Sequence, residues 1–295
     1  MKIQLFKSQF IEALMPIYID QQEIESFFYI LTAHLHQMKR IDVALHPDFE
    51  LSKDDLAKWM EIVQQLKEEK PIHYITKETW FCGLRFEVNE NTLIPRPETE
   101  ELVEWILNST TTHHSSPFTL LDIGTGTGCI PISLKTKLPQ ASVSAIDVSE
   151  KALQVAERNA KLNEVEINFV QANILEVDDL SKLPTPNSQL PTHFDIIVSN
   201  PPYVRNLEKA EIKKNVLHYE PHLALFVTDS DALLFYRKIG QLAFKNLTSG
   251  GLVFFEINQY LGKETVELLA NLGFKNIELK KDVYGNDRMI RCEKN

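Results

Sequence analysis

The sequence predicts an α/β protein in which a mostly parallel sheet is preceded by a small helical domain. From residue 118 onward, short apolar runs typical of buried strands alternate with segments of helical periodicity. Over residues 1–75, apolar side chains instead recur at helical spacing, and the first glycine of the chain is Gly83. A chain of 295 residues is long enough to form two such domains.

The first 75 residues favour a compact helical bundle. Two apolar stripes support this prediction, because each repeats at intervals of three or four residues. Ser52, followed by acidic residues, is typical of a helix start, and Pro71 of a helix end. The stripes consist of Phe27, Phe28, Ile30, Leu31 and Leu35, and of Leu56, Trp59, Met60, Val63 and Leu66.

A change of pattern at residues 76–95 predicts a short β-hairpin that links the two domains. Residues 79–88 are aromatic and partly alternating, with Gly83 at the turn. Pro95 and Pro97 then stiffen the approach to a helix that begins near Glu98. The chain therefore divides into residues 1–75, 76–95 and 96–295.

The last of these divisions contains seven predicted strands with helices between most of them. Because strands joined by helices run parallel, the sheet would be mostly parallel and covered on both faces. Two polar loops, 108–117 and 183–191, are predicted to be surface insertions without chemistry. The predicted strands are 118–123, 142–146, 167–171, 194–199, 252–257, 277–279 and 288–291, and the clearest helices are 150–162 and 231–247.

Composition limits the function classes. The formal net charge of −10 argues against sequence-independent binding to nucleic acid, which depends on basic contacts to phosphate. The three cysteines are far apart, which favours reduced thiols over a zinc site or a disulfide framework. The sequence has no apolar run long enough for a membrane span and no signal peptide, so we expect a cytoplasmic protein.

A glycine-rich turn after the first predicted strand indicates a ligand-binding loop. Gly124, Thr125, Gly126, Thr127 and Gly128 follow a GxGxG spacing, which lets the backbone turn sharply and approach a ligand. The spacing differs from the GxGxxG of dinucleotide folds, and a generic strand-to-helix loop is the alternative.

Two further strand ends add to this predicted cofactor site. Asp147 ends the second strand, 23 residues after Gly124, where a carboxylate can accept hydrogen bonds from ribose hydroxyls. Its alternative role is a helix N-cap, which Ser149 fills better. Asn173, with Ile174 beside it, follows the third strand, where an adenine edge is read in this architecture. Asn173 could equally be a plain turn residue.

The most informative segment is Asn200-Pro201-Pro202-Tyr203, which follows the fourth predicted strand. A simple turn is the alternative, but the carboxyl ends of parallel strands are where open α/β sheets bind ligands. Because prolines donate no N–H, the Asn200 and Pro201 carbonyls stay available as acceptors beside the Asn200 side-chain oxygen. Together they could hold both hydrogens of a planar NH₂ group and aim its lone pair at a sulfonium methyl, with Tyr203 stacked on the acceptor.

With these motifs the chain resembles the HemK/PrmC family, the protein-(glutamine-N5) methyltransferases of peptide-chain release factors. The resemblance covers nearly the whole chain. Residues 93–100 (LIPRPETE) match a segment characteristic of that family and not of methyltransferases generally. The other matching blocks are 122–129 (DIGTGTGC), 200–203 (NPPY), 219–221 (YEP) followed by Ala224 and Leu225, and Asp282, Gly285, Asp287 and Arg288.

The resemblance implies a class I, Rossmann-like methyltransferase domain that uses S-adenosyl-L-methionine, yields S-adenosyl-L-homocysteine and needs no metal. The implied substrate is the glutamine of a Gly-Gly-Gln tripeptide in a release factor, bound by Asn200 to Tyr203. Arg96 and Glu98 are predicted to shape the pocket wall, and a capped helix start with surface charge is the alternative. Asn200 would contact the cofactor as well. The helical domain would recognise the release factor, and we expect a monomer without nucleic-acid or membrane partners.

Two rival functions remain open. A DNA adenine-N6 methyltransferase shares the Asn/Asp-Pro-Pro-Tyr device, although the net charge of −10 and the lack of a basic recognition domain count against it. A noncatalytic S-adenosylmethionine-binding module is the other, and the intact acceptor motif counts against that.

The chain also departs from the family pattern at four positions. Asp is common at Asn173 and an aromatic residue at Ile174, so the adenine contacts are in question. Gly is usual at Asn258 and Gln at Leu261, and we expect this second change to touch no residue assigned to chemistry.

Overall fold

The computed structural model describes residues 1–110, 118–183 and 190–295. Most of the two predicted surface loops, 111–117 and 184–189, lies outside the described residues. The described parts of those loops differ from the prediction, because residues 108–110 complete a helix and Leu190 is buried in the core. No helix within the described ranges is long and apolar enough to cross a membrane.

The chain packs as two compact units, Met1–Lys77 with Lys213–Tyr219 and Glu78–Ile212 with Glu220–Asn295. The predicted boundary near residue 75 lies close to the division after Lys77. The hairpin falls inside the second unit, and a short segment from late in the chain joins the first.

The first unit is a helical bundle centred on Trp59, which is fully buried. Its indole stacks on Phe28, with ring centroids 5.4 Å apart, and its N–H donates to the His36 ring at 3.0 Å. Ser52 caps the fourth helix as predicted, since its hydroxyl accepts from the Asp55 N–H and the Asp55 carboxylate accepts from the Ser52 N–H. The helices are α1 (Ile3–Leu14), α2 (Gln21–His36), α3 (Arg40–Leu45), α4 (Lys53–Lys67) and α5 (Ile72–Thr76).

The predicted hairpin forms from β1 (Glu78–Phe81) and β2 (Leu84–Glu87), which pair antiparallel. Both turn residues have positive φ, 50° at Cys82 and 77° at Gly83, as a two-residue hairpin turn requires. Phe81 and Phe86 are buried in the core beside the sheet, so the hairpin is an integral part of the second unit.

The sheet of the second unit has seven strands in the order β10-β11-β9-β6-β3-β4-β5. β11 pairs antiparallel with both β10 and β9, and the other pairs in this sheet are parallel, which confirms the predicted, mostly parallel sheet. The strands are β3 (Thr119–Ile123), β4 (Ser142–Asp147), β5 (Asn168–Gln171), β6 (Phe194–Ser199), β9 (Leu247–Glu256), β10 (Lys275–Lys281) and β11 (Asp287–Glu293), and a separate short pair is β7 (Val204–Arg205) and β8 (Phe226–Val227). The helices are α6 (Pro97–Thr110), α7 (Cys129–Lys137), α8 (Glu150–Leu162), α9 (Lys214–Tyr219, which packs with the first unit), α10 (Leu234–Asn246) and α11 (Gly262–Asn271).

Both faces of the central strands are buried, and alternate residues of these strands enter opposite cores. On β6, Ile197 packs in the cluster that contains side chains of α10 and α11, whereas Ile196 and Val198 pack in the cluster that contains side chains of α6 and α7. The central strands are therefore apolar almost throughout. Polar side chains that serve chemistry are left to the strand ends.

The glycine turn between β3 and α7 offers a test of this packing. Gly128 and Gly285 both have positive φ, 79° and 86°, so alanine at either should cost about 1–2 kcal/mol of backbone strain. At Gly128, however, a Cβ would lie 2.9 Å from the Ile132 side chain and 3.1 Å from that of Ala156, whereas at Gly285 no atom lies within 4 Å. We expect Gly128→Ala to lose about 1–3 kcal/mol more than Gly285→Ala in urea denaturation. Equal losses would show that the α7–α8 contact is not tight.

Candidate active site

A cavity of about 370 Å³ opens at the carboxyl ends of β3, β4, β5 and β6. Parallel strands that end together leave a crevice there, the usual ligand site of open α/β sheets. All of its lining residues belong to the second unit. The predicted site residues that line it are Arg96, Gly124, Thr125, Gly126, Thr127, Asp147, Asn173, Ile174, Asn200, Pro201 and Pro202, whereas Glu98, Gly128 and Tyr203 are not among its lining residues.

The glycine loop forms one wall of the cavity. Gly124 and Gly126 have φ of 80° and 54°, which side chains other than glycine rarely adopt. The N–H groups of Gly124 and Thr125 donate to the Ile146 carbonyl at 2.8 and 3.1 Å, so the loop is held against the end of β4. An added Cβ at Gly124 would lie 3.9 Å from the Asn200 carbonyl oxygen, and the loop therefore runs close to the segment after β6.

Gly128 was predicted to bind the cofactor, but it is not among the residues that line the cavity. It is the N-cap of α7, where the side chains of Ile132 and Ala156 leave no room for a Cβ. The structure thus gives this glycine a packing role beneath the loop, because α7 and α8 approach each other at this point.

Asp147 ends β4 at the cavity and is bound to the loop. Its carboxylate accepts from the Gly126 N–H at 2.8 Å and from the Ser149 N–H at 2.9 Å. Burial raises the pKa of this carboxyl, and the backbone hydrogen bonds oppose that rise. Ser149 is the N-cap of α8, as the sequence suggested, so the carboxylate of Asp147 is not needed as the cap.

Asn173 and Ile174 also line the cavity, but the Asn173 side chain is engaged in its own turn. Its oxygen accepts from the Leu175 N–H at 3.2 Å and its nitrogen donates to Glu176 at 2.8 Å. The structure therefore shows the turn role that the sequence left open. Contact with an adenine ring stays a prediction for Ile174, which is buried at the cavity wall.

Asp122 is a buried carboxyl on β3 that the motif reading had not assigned to the site. It is fully buried, and neither oxygen has a hydrogen-bond partner among the described residues. The nearby Thr125 hydroxyl lowers the pKa of Asp122, although the two groups do not meet in a hydrogen bond and the hydroxyl also has no partner within the described part of the chain. Burial, with a smaller contribution from the charge of Asp147, raises the pKa of Asp122 to about 7. An unsatisfied carboxyl at the base of the loop fits a positively charged ligand.

The Asn200-Pro-Pro-Tyr segment follows β6, and Asn200, Pro201 and Pro202 line the cavity. The Asn200 amide nitrogen donates to the Thr99 hydroxyl at 3.3 Å. Tyr203 instead packs against the core, and its hydroxyl donates to Glu256 at 3.0 Å. The predicted stacking of Tyr203 on an acceptor is therefore not supported by the position of its ring.

A buried polar network lies next to this segment. Glu256, the last residue of β9, accepts from the Thr99 hydroxyl at 2.6 Å as well as from Tyr203. Arg288 reaches the Tyr203 hydroxyl at 3.4 Å and is ion-paired with the buried Asp282 at 3.1 Å. Burial raises the pKa values of Glu256 and Tyr203. The segment is thus attached to three distant parts of the chain.

Arg96 lines the cavity and is held there by a buried carboxylate. It donates to the Glu220 carboxylate at 2.5 Å, and Glu220 also accepts from the Ile94 N–H at 3.1 Å. Glu220 is almost completely buried, so the pair fixes the proline-rich segment that precedes α6. Glu98, predicted beside Arg96 in the wall, is half-buried outside the lining.

Asn258 corrects one sequence expectation. The departure from the usual glycine was expected to touch no residue assigned to chemistry, but the Asn258 amide donates to the Tyr203 carbonyl at 2.9 Å and to Glu208 at 2.9 Å. The side chain is buried, so both bonds are shielded from water. Asn258 thereby ties the acceptor segment to the 3₁₀ turn at Asn206–Glu211.

Motif reading alone missed Asp122, Thr99, Glu220 and Glu256 as parts of the site. Each lies in a block that the resemblance singled out or at a strand end. Asp122 has no hydrogen-bond partner among the described residues, and the pairs Arg96–Glu220 and Thr99–Glu256 join residues 124 and 157 positions apart. Glu256 could have been predicted from the sequence, because it is a carboxylate at the end of an apolar strand, as Asp147 is.

An open sheet in this strand order, with a glycine loop after its first strand and Asn-Pro-Pro-Tyr after its fourth, defines a class I methyltransferase. A family model for the methyltransferase small domain matches residues 104–223, and one for the PrmC N-terminal domain matches residues 8–76. A solved methyltransferase of Pyrococcus furiosus shares the fold, with a TM-score of 0.50 at 19% identity over 83% of this chain and 100% of that one.

Relatives of this chain are similar over nearly its whole length. A release factor glutamine methyltransferase of Flavobacterium psychrophilum is 60% identical over 292 residues, which covers 99% of each chain. One of Bacteroides thetaiotaomicron is 36% identical over 96% of this chain and 97% of the relative. The chain belongs to the release factor glutamine methyltransferase family, whose methyl donor is S-adenosylmethionine.

Asp147 allows a direct test of the cofactor wall. We expect Asp147→Ala to weaken S-adenosylmethionine binding by about 1–3 kcal/mol, because charge-assisted hydrogen bonds and the anchor of the Gly126 N–H are lost together. Calorimetric titration measures the change. Asp48→Ala, which removes an exposed carboxylate of the helical unit, is the control and should leave the affinity unchanged. Equal affinities in both variants would remove Asp147 from the cofactor site.

Asp122 leads to a pH-dependent expectation. A bound cation favours the ionised carboxyl, so cofactor binding between pH 6 and 7 should release protons, and affinity should rise as the pH rises through about 7. The pKa of Asp122 is about 7 in the folded protein and 3.8 in the unfolded chain. The protein without cofactor should therefore lose stability as the pH rises from about 4 to about 7.

Calorimetry in two buffers of different ionisation enthalpy counts the protons released on binding. Asp122→Asn should abolish the release. The same proton count in wild type and variant would assign the titration to another group.

Proposed function

We propose that this chain transfers a methyl group from S-adenosylmethionine to the side-chain N5 of the glutamine in the Gly-Gly-Gln motif of peptide-chain release factors. The observation that carries the proposal is the closeness of the glycine loop to the acceptor segment, since a Cβ added at Gly124 would lie 3.9 Å from the Asn200 carbonyl oxygen. A cofactor against the loop and an amide against Asn200 would thus share one cavity. The names of the relatives supply the substrate class.

The cofactor would be held by residues of four strand ends. The loop from Gly124 to Thr127 would cover it, Asp147 would accept from its ribose, and Ile174 would contact its adenine, with Asn173 next to it. The buried carboxyl of Asp122 would offset its positive charge. Bound there, the group supplies an activated methyl on a sulfonium and leaves as S-adenosylhomocysteine. The proposal requires no metal.

The acceptor pocket suits a neutral planar amide. Pro201 and Pro202 have no N–H, so the carbonyls of Asn200 and Pro201 receive no local donor at these positions and can accept from the substrate. With the Asn200 side-chain oxygen they hold both amide hydrogens and place the nitrogen for in-line attack. The N–C bond forms as the C–S bond breaks, and the methylated nitrogen loses one proton. These residues contribute by positioning and by electrostatic stabilisation.

The helical unit would recognise the folded release factor. None of the motifs assigned to cofactor or acceptor lies in Met1–Lys77. Contacts remote from the reacting amide supply binding energy that positions it, which a short tripeptide would not provide. The proposed substrate acts in translation, so we infer a cytoplasmic enzyme. A monomer, as expected from the sequence, stays a prediction.

The test is transfer of labelled methyl to three acceptors: an intact bacterial release factor, the same factor with its Gly-Gly-Gln glutamine changed to alanine, and duplex DNA rich in adenine. We expect label only in the first, and poor transfer to an isolated Gly-Gly-Gln peptide. Label in DNA and not in release factor would establish the adenine-N6 alternative. Cofactor binding without transfer to any acceptor would favour a noncatalytic module.

Asn200→Ala in the same assay tests the acceptor pocket. We expect single-turnover methylation to fall by about 10²-fold, because the amide loses an acceptor and its orientation. Cofactor affinity, measured by titration, should change much less. Turnover within a few-fold of wild type would exclude Asn200 from orienting the amide.

A further inference from the structure

The side-chain amide of Asn200 can serve as an acceptor only if its oxygen, and not its nitrogen, faces the substrate. The two ends of an amide have nearly the same size, so packing alone does not choose between them. The hydrogen-bond partners must choose. The buried groups around Asn200 form a chain of donors and acceptors whose direction can be followed from one end to the other.

The chain begins at Arg288, whose guanidinium can only donate. It donates to the Tyr203 hydroxyl at 3.4 Å, so the Tyr203 oxygen accepts there and its own proton goes to Glu256, 3.0 Å away. One carboxylate oxygen of Glu256 is therefore an acceptor. Asp282, paired with Arg288 at 3.1 Å, keeps the guanidinium in place.

The second oxygen of Glu256 lies 2.6 Å from the Thr99 hydroxyl. We take Glu256 as the ionised carboxylate, because the hydrogen bonds from Thr99 and Tyr203 and the charge of Arg288 oppose the rise that burial causes in its pKa. A threonine hydroxyl has one proton and an ionised Glu256 has none to give, so the proton of Thr99 points at the carboxylate. Toward Asn200, 3.3 Å away, Thr99 then presents only a lone pair. Asn200 must meet it with its NH₂ end, which turns the amide oxygen to the other side. Both Thr99 and Asn200 line the cavity.

We propose that Glu256 and Thr99 form a hydroxyl relay that fixes the side-chain amide of Asn200 with its oxygen toward the substrate amide. Thr99 and Glu256 are positioning residues, because they act through Asn200 and need not touch the substrate. The proposal deepens the proposed function and rests on it, since it specifies how one side chain of the acceptor pocket is set. The relay also explains why Thr99 and Glu256, which are 157 positions apart in the sequence, are in contact.

A polarity-reversing variant separates orientation from packing. In Glu256→Gln the new carbonyl oxygen must still accept from Tyr203, so the new NH₂ group faces Thr99 and donates to it. The Thr99 proton then points at Asn200, which must turn its oxygen inward to accept. Every contact retains one donor and one acceptor, yet the cavity receives the NH₂ end of Asn200.

The experiment compares single-turnover methylation of intact release factor by the full chain and four variants. Thr99→Val and Glu256→Gln should each lower the methyl-transfer rate on the order of 10²-fold, with cofactor affinity nearly unchanged. Thr99→Ser keeps the hydroxyl and should stay within a few-fold of wild type. Thr265→Val is the matched control, because it removes another fully buried threonine hydroxyl, bonded to the Leu261 carbonyl, and should leave turnover unchanged.

A double-mutant cycle excludes a merely structural role. If Thr99 and Glu256 act through Asn200, neither substitution should lower the rate further in an Asn200→Ala background. An undiminished loss in that background would overturn the proposal, as would wild-type turnover in a folded Thr99→Val or Glu256→Gln, or equal impairment of Thr99→Ser and Thr99→Val.

Neutron diffraction gives a readout that does not depend on activity. Deuterium should lie on the Asn200 atom nearest Thr99 in the wild type and on the opposite atom in Glu256→Gln. The same orientation in both crystals would overturn the relay. Failure of the wild type to methylate release factor would count against the proposed function alone, because the neutron result decides the relay separately.

Discussion

The carboxyl edge shared by the parallel strands is the constraint on which the rest of the site depends. A parallel sheet buried on both faces leaves room for functional polar side chains chiefly where its strands end. β3, β4, β6 and β9 end beside one another in the second unit, so the glycine loop, Asp147, Asn200 and Glu256 meet at one edge. The register of the strands, with Ile123 opposite Ser199 and Ser199 opposite Phe255, sets their spacing before any side chain makes a contact.

Convergence at one edge carries an electrostatic cost. Glu256 and Asp282 are buried, and a buried charge destabilises the fold unless it is paired and hydrogen-bonded. Here Arg288 is ion-paired with Asp282, and Thr99 and Tyr203 each donate a hydrogen bond to one oxygen of Glu256. Removing one member leaves another unpaired, so the network specifies a single arrangement of these side chains more strictly than an apolar core of the same volume would. The Asn200–Tyr203 segment gains rigidity from these bonds.

The sequence predicted the parts of the site that are local in the chain. The turn after β3, the carboxylate that ends β4 and the segment after β6 each follow from a few adjacent residues, and all three lie at the cavity. What it did not predict are the pairs that the fold brings together, such as Arg96 with Glu220 and Thr99 with Glu256.

Two residues stand out in the sequence but have contacts in the structure that differ from those expected. A sequence motif does not show which residues the fold places next to it. Gly128 belongs to the glycine motif, yet its missing Cβ makes room for Ala156. Asn258 looked like a loop variation, yet it donates to the Tyr203 carbonyl.

The glycine loop also explains why this sheet suits a cationic nucleoside better than a phosphate-bearing one. A loop at a helix N-terminus usually binds phosphate, because its N–H groups point outward unpaired. In this loop the N–H groups of Gly124 and Thr125 donate to the Ile146 carbonyl, and that of Gly126 donates to Asp147. These N–H groups already have partners within the protein, and one partner, the Asp147 carboxylate, is itself an anion.

Asp147 lines the cavity and Asp122 is fully buried beneath the same loop, so this end of the cavity lies in a negative potential once both carboxyls ionise. A pyrophosphate would meet repulsion and find few free donors, whereas a sulfonium with an ammonium group would offset both carboxylates. We therefore expect the carboxylates around the loop, as much as its glycines, to favour a cationic methyl donor at this turn.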